Sequence, residues 1–204
     1  MKLLILTFAL VLSLSFATEV AEPQYSDLIP VSNLDLVKYG GAWYEIAFFP
    51  YFFERDCYCT FANYTLHADQ GYVGVNNTCN RGGPDSKAVS AIGKAFPVDA
   101  LNGTITTGKL SVEFFPGVKA PYYVIDLDVN YQWALVGSPN RKYCWILSRS
   151  TSISDDLYQQ LVDKAKSLEF DISNFKKVEQ GSSCLRAENN VKHLLRSMFA
   201  RNSI

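Results

Sequence analysis

Histidine is nearly absent from this chain. His67 and His193 are the only two in 204 residues, which leaves general acid–base chemistry at neutral pH few candidates. No Ser/His/Asp set and no glycine-rich phosphate loop makes up for that scarcity. Charge of either sign is not in excess: 19 Lys and Arg face 20 Asp and Glu, and a net charge of −1 gives nucleic acid no basic surface to bind. Beyond residue 17 no apolar run reaches the roughly 18 residues that a membrane-crossing helix requires. Internal repeats and low-complexity linkers are also missing, so the length prior points to one domain.

Residues 1–17 read as a secretory signal, with Lys2, an apolar run from Leu3 to Leu14 and the small-residue end Ser15-Phe16-Ala17. No cysteine follows that site to take a bacterial-type lipid anchor. Export gives meaning to three Asn-x-Ser/Thr sequons at Asn63, Asn76 and Asn102, each expected to face outward. It also gives meaning to the five cysteines, which allow up to two disulfides and one thiol. Their spacing does not suit zinc: Cys57-Tyr-Cys59 lacks the usual gap, and no metal site or other cofactor is expected.

Eight short segments rich in Val, Ile, Tyr, Phe and Thr lie near 42–49, 57–66, 71–78, 87–96, 109–115, 121–128, 131–137 and 142–149. Turn chemistry separates them at Ala68-Asp-Gln-Gly71, Asn102-Gly103 and Ser138-Pro-Asn140. The expected fold is all-β, an eight-stranded antiparallel up-and-down barrel, which removes both sheet edges and leaves room for side chains or one small ligand. One helix follows, capped by Ser154, with Asp155 and Asp156 at its positive end and a stripe of Leu157, Leu161, Ala165 and Leu168 for packing on the outside of the barrel. Residues 185–204 form a basic tail, read either as an amphipathic helix or as a frayed end.

Three motifs occur in one order: Gly41-Ala42-Trp43 within 33–47, Asp126-Leu-Asp-Val-Asn-Tyr131 ahead of Ala134-Leu-Val136, and Trp145-Ile-Leu-Ser-Arg149. Together they resemble the lipocalin family, closest to the group of apolipoprotein D, the bacterial lipocalins and the crustacyanins, over roughly residues 33–184. The resemblance implies that Gly41, Trp43, Asp128 and Arg149 close one end of the barrel, Arg149 stacking over Trp43. It implies a Cys59–Cys184 bridge, closing a loop of roughly 125 residues for which the chain-entropy model gives several kcal/mol. Cys57 with Cys79 is expected as the second pair, leaving Cys144 free. By position in the matched segments, Tyr64, Asn77, Phe114, Tyr122 and Trp145 are expected to line a ligand cavity.

Alternation in the second strand, taken from an outward Asn63, points Tyr58, Thr60, Ala62, Tyr64 and Leu66 inward and Cys57 and Cys59 outward. The aromatic run Phe48, Phe49, Tyr51, Phe52 and Phe53 is expected as an apolar entrance suited to a lipid surface. The function these features imply is a secreted, extracellular carrier of a small hydrophobic ligand such as a fatty acid, lysophospholipid, sterol, retinoid, carotenoid or bilin. The alternatives are a lipocalin-type enzyme using a thiolate at Cys57 or Cys59, and a scavenger of oxidised lipid acting through Cys144. The outward parity and expected pairing of the first two cysteines argue against the enzyme.

Overall fold

The computed structural model describes residues 24–99, 104–181 and 184. The expected signal 1–17, the sequon at Asn102 and the tail 185–204 lie outside the described residues, as does the side chain of Phe53. Eight strands form the barrel: β1 Gly41–Phe48, β2 Cys57–His67, β3 Tyr72–Arg81, β4 Ala88–Pro97, β5 Lys109–Phe115, β6 Val118–Leu127, β7 Trp133–Gly137 and β8 Cys144–Ser148. Each pairs antiparallel with the next, and β8 returns to β1, with Trp145 opposite Phe48 and Ser148 opposite Tyr44. The sheet therefore closes on itself. A two-residue piece, Lys176–Lys177, extends the pairing of β1 at Phe48 and Ala47.

The tight turns follow from backbone chemistry. Gly71, at φ 70°, ends the short turn Ala68–Gln70 between β2 and β3, a conformation that costs a residue with a Cβ more than it costs glycine. Before β7, the Asp128 carboxylate accepts from the amides of Asn130 and Gln132 and holds Tyr131 at φ 59°. That turn delays the strand to Trp133, two residues later than the composition suggests.

Two apolar clusters result from the alternation. The inner one fills the barrel with Trp43, Val75, Leu110, Val124, Val136 and Leu147 among others. The outer one lies beneath the helix α2, Asp155–Ser167, which buries Leu161, Val162 and Ala165 against Leu135, Ile146 and Phe170. The Ser154 hydroxyl accepts from the Leu157 amide as an N-cap should, at 3.2 Å. Leu168, the last member of the stripe, is the C-cap and still packs against the same cluster. Covering a Leu or Val in this way contributes about 1.5–3 kcal/mol each.

Two further features have no counterpart in the expected pattern. A one-turn helix α1, Leu36–Tyr39, lies across the end from which β1 starts; the Asp35 carboxylate caps it by accepting from Val37 and Lys38. Arg141 is 5% exposed and donates to the carbonyls of Ser26, Pro139 and Leu168, with Glu169 at 3.5 Å, so one cation fastens the N-terminal segment to the end of α2. Four partners satisfy a charge that would otherwise be costly to bury.

Candidate functional site

One end of the barrel is sealed. Trp43 is fully buried and donates its indole N–H to the Tyr39 carbonyl at 2.7 Å. The Arg149 guanidinium lies 3.7 Å from the centre of that ring and donates to the carbonyls of Lys38, Ala42 and Tyr131 at 2.7, 2.7 and 3.2 Å. Gly41 sits at φ 84°, and a Cβ there would come within 3.5 Å of Nη1 of Arg149. Glycine thus lets the chain turn into β1 at a positive φ, while the arginine would be in ordinary contact with a Cβ there. Asp128 holds the adjacent turn. These four residues join α1, β1, the turn before β7 and the end of β8.

Above this floor stand three phenols. The Tyr122 hydroxyl is 2.8 Å from that of Tyr39 and 3.2 Å from that of Tyr64, while the Tyr39 and Tyr64 rings stack at 5.7 Å. Two hydrogen bonds use two of the three O–H protons, leaving one for another acceptor. Burial raises all three hydroxyls, that of Tyr64 to about 12, so they remain neutral. Trp145 stacks on Tyr122 at 6.4 Å. Both are only half-buried, although pairing and packing place both on the inner face.

The open half carries two carboxyls, of which alternation from Trp43 could have revealed one, Glu45. Glu45 shares the inward face of β1 with Trp43 and is 5% exposed; its Oε1 has no hydrogen-bond partner. Glu54, in the loop after β1, accepts from the Tyr51 hydroxyl at 3.0 Å through Oε1, while its Oε2 is buried without a partner. Burial pushes the Glu54 carboxyl up to about 7, against the opposing pull of Tyr51 and Trp145. Glu45 is raised well above the carboxylate range by burial and by the neighbouring Glu54. Asn77 pairs with Ala62 on the inner face, and its Oδ1 is likewise unpartnered.

Of the expected cavity residues, Tyr64, Asn77, Tyr122 and Trp145 are brought together on the inner face of the barrel. Phe114 stands apart at the mouth, 36% exposed, with its ring against Gly93 of β4. Two surface cavities, of about 350 and 380 Å³, lie outside the barrel, one behind Arg149 and one between Phe49 and Arg141.

The disulfides are Cys57–Cys79 and Cys59–Cys184. Cys59 adopts φ 56° within a bulge, so the register shifts from Tyr58 opposite Asn80 to Phe61 opposite Thr78. The extra residue inverts the alternation. Tyr58 therefore falls on the outward row of Phe61, and Cys57 on the inward row of Cys79, the reverse of what unbroken period-two spacing implies. Beyond Tyr44 the pairing of β1 with β2 also stops, and the Gln180 side chain spans the gap by donating to the Glu45 and Thr60 carbonyls.

Two further expectations need correction. Phe48 and Phe49 are 8% and 3% exposed, because Phe48 faces Trp145 across β8 and Phe49 packs edge-on against Phe170 and Phe175. Tyr51 is half-buried against Tyr143 and Trp145, so of this aromatic run only Phe52, at 71%, is described as exposed. Cys144 is a free thiol but fully buried under α2, where burial pushes its ionisation far up. It is not an accessible reductant.

Comparison with known proteins agrees with this geometry. A family model described as a lipocalin-like domain matches residues 34–180. The outer membrane lipoprotein Blc of Escherichia coli is 40% identical over 154 residues, covering 75% of this chain and 83% of that protein. Temperature-induced lipocalin-1 of Arabidopsis thaliana is 35% identical over 161 residues, with 75% and 83% coverage. Apolipoprotein D of Cavia porcellus is 33% identical over 159 residues, with 74% and 79% coverage. Among solved structures, insecticyanin of Manduca sexta superposes with a TM-score of 0.62 at 22% identity, covering 80% of this chain and 90% of that one. A barrel sealed by a tryptophan under an arginine, matched along the whole of its length by that family model, makes this chain a member of the lipocalin family.

Proposed function

We propose that this lipocalin carries one small hydrophobic molecule inside the barrel. One observation supports the reading above others: Tyr122, Trp145 and Asn77 point into a closed sheet and still keep accessible surface, so protein alone does not fill the space beside them. Aromatic faces with a few polar atoms suit a flat or elongated apolar ligand, whose burial contributes roughly 25 cal/mol per Å². Tyr64 and the rim residue Phe114 complete the proposed contact set, while Gly41, Trp43, Asp128 and Arg149 serve closure.

The apolar tips Phe52, Phe115 and Val118, 71, 59 and 64% exposed, lie at the open end and suit uptake from a lipid surface. Export to the extracellular space is part of the same reading, supported by the leader-like residues 1–17 and by two disulfides. Asn63 and Asn76 pair on the outer face of β2 and β3, where glycans would meet solvent. The thiols on which the two alternatives rest are not available, because Cys57 and Cys59 are bridged and Cys144 is buried.

Tryptophan fluorescence tests the carrier. Titration with retinol, a fatty acid and a bilin is expected to quench emission saturably for at least one of them, and Trp145→Phe is expected to remove most of that response. Equal quenching in Trp145→Phe would place the ligand elsewhere. No saturable response to any of a broad lipid panel, with an empty protein by native mass spectrometry, would reject the carrier.

A further inference from the structure

The open half of the barrel holds a set of buried polar atoms without hydrogen-bond partners. Glu45 Oε1, Glu54 Oε2, Thr60 Oγ1 and Asn77 Oδ1 are all buried and all unpartnered. Their positions are linked. Glu45 lies one residue after Tyr44 and Thr60 one residue before its partner Phe61 on the adjacent strand, and one Gln180 amide spans both their carbonyls. Asn77 pairs with Ala62, two residues along β2 from Thr60. Glu54 acts electrostatically on Glu45 and is tied through Tyr51 and Trp145 to the inner wall. Glu45 and Thr60 are 5% and 6% exposed, so bulk water does not satisfy them in this closed form.

No ion pair among the described residues reaches either carboxyl. Leaving a buried polar atom without a partner costs about 1–3 kcal/mol, and a buried charge costs more. Four such atoms in one region are out of keeping with a finished apolar core. The wall lacks a cation here, and the Tyr51 hydroxyl and Trp145 are already engaged with Glu54. Arg149, the cation of the barrel floor, is occupied by three carbonyls at the opposite end.

Building on the carrier reading, we propose that the bound molecule is a single-chain amphiphile whose head group is a protonated amine, held by Glu45, Glu54, Thr60 and Asn77. An ammonium offers three donors and one positive charge, which matches acceptors grouped around a carboxyl pair. Its alkyl chain would run from there toward Tyr122 and Trp145. A carboxylate head would meet two carboxyls and no cation, and is disfavoured at the same place. The selectivity arises from the head group, since apolar pockets separate hydrocarbon chains only weakly.

Dodecylamine, dodecanol and dodecanoate, which share one chain and differ in the head, separate the possibilities when titrated into the full-length protein at about pH 8, where the amine is charged. Calorimetry is expected to show the amine binding at least about tenfold tighter than either of the others. In Glu45→Gln/Glu54→Gln that preference is expected to collapse to within a few-fold, with the alcohol's affinity retained. Thr60→Val, which keeps both carboxyls, is expected to weaken the amine selectively by a smaller factor, and it serves as the test if the double variant fails to fold. Equal affinity for all three, or preference for dodecanoate, would overturn the head-group assignment and leave the carrier standing. Binding of none of them, nor of any lipid in the broader panel, would overturn both.

Discussion

Removing the guanidinium of Arg149 tests whether that residue closes the barrel or grips a ligand. In Arg149→Ala the Trp43 indole loses a cation 3.7 Å from its ring centre, and the carbonyls of Lys38, Ala42 and Tyr131 lose their donors. The stacking contributes between about 0.5 kcal/mol when exposed and about 2 when desolvated, and this half-buried site lies between. Three charge-assisted hydrogen bonds would add several kcal/mol in a dry core. Here the bonds to Ala42 and Lys38 lie at the exposed edge, so water replaces much of what those carbonyls lose. The expected loss is about 2–3 kcal/mol, which lowers the melting temperature of a chain this size by about 5–10 °C. Urea denaturation followed by circular dichroism reads the loss directly, and Arg149→Lys, which keeps charge but not the three-way fork, should fall between the two. Ligand affinity measured well below the transition should stay within a few-fold. Near-normal stability with a tenfold or greater loss of affinity would refute the closure role.

The pH dependence of stability carries a second expectation. Glu54 is held near 7 in the fold against 4.5 when unfolded, so the folded state binds its proton more tightly and stability contributed by that group is greatest below about 4.5. It declines as pH rises towards 7, by up to about 3 kcal/mol. The difference between native protein and Glu54→Gln should show that slope, and a flat difference would mean the carboxyl is not buried in solution. For the long bridge, a non-reducing digest should contain the Cys59–Cys184 peptide, and Cys184→Ser should lower stability or yield, with about 2–5 kcal/mol typical of a removed native disulfide. Recovery of Cys184 only as a free thiol would reject it.

How much of this was legible in the sequence varies from residue to residue. Strand positions follow from period-two patterning and turn residues, which is why β2 at Cys57–His67 and β5 at Lys109–Phe115 begin where composition puts them. Trp43 and Arg149 were legible through the family resemblance, which brings the first and last strands together at one sealed end. Tyr58 and Cys57 were misread because a bulge at Cys59 leaves no mark in an apolar–polar pattern, yet reverses every side chain before it. Phe48 and Phe49 looked like an exposed loop because adjacent aromatics carry no sign of which partners cover them. Glu45 was within reach, since it lies two residues after an inward tryptophan on the same strand. Glu54 was not within reach, because only the fold of the loop after β1 sets it beside Glu45.

The Cys59–Cys184 bridge gives the molecule a topology that strand pairing alone would not. The two linked residues are 125 apart, and the segment between them contains strands β3 to β8 and helix α2. Covalently, the barrel is a ring with one open stretch at its N-terminal side, where β1 and α1 are held only by pairing and packing. A protease that nicks any single exposed turn inside the ring, such as Asp128–Gln132, releases nothing: both pieces remain joined until the sulfurs are reduced. A cut before Cys57, which is itself bridged to Cys79, is different. It frees the piece bearing Trp43 and Glu45 from every covalent tie, so the strand that supplies both the floor and the acid of the barrel is also the one that a single cleavage can detach.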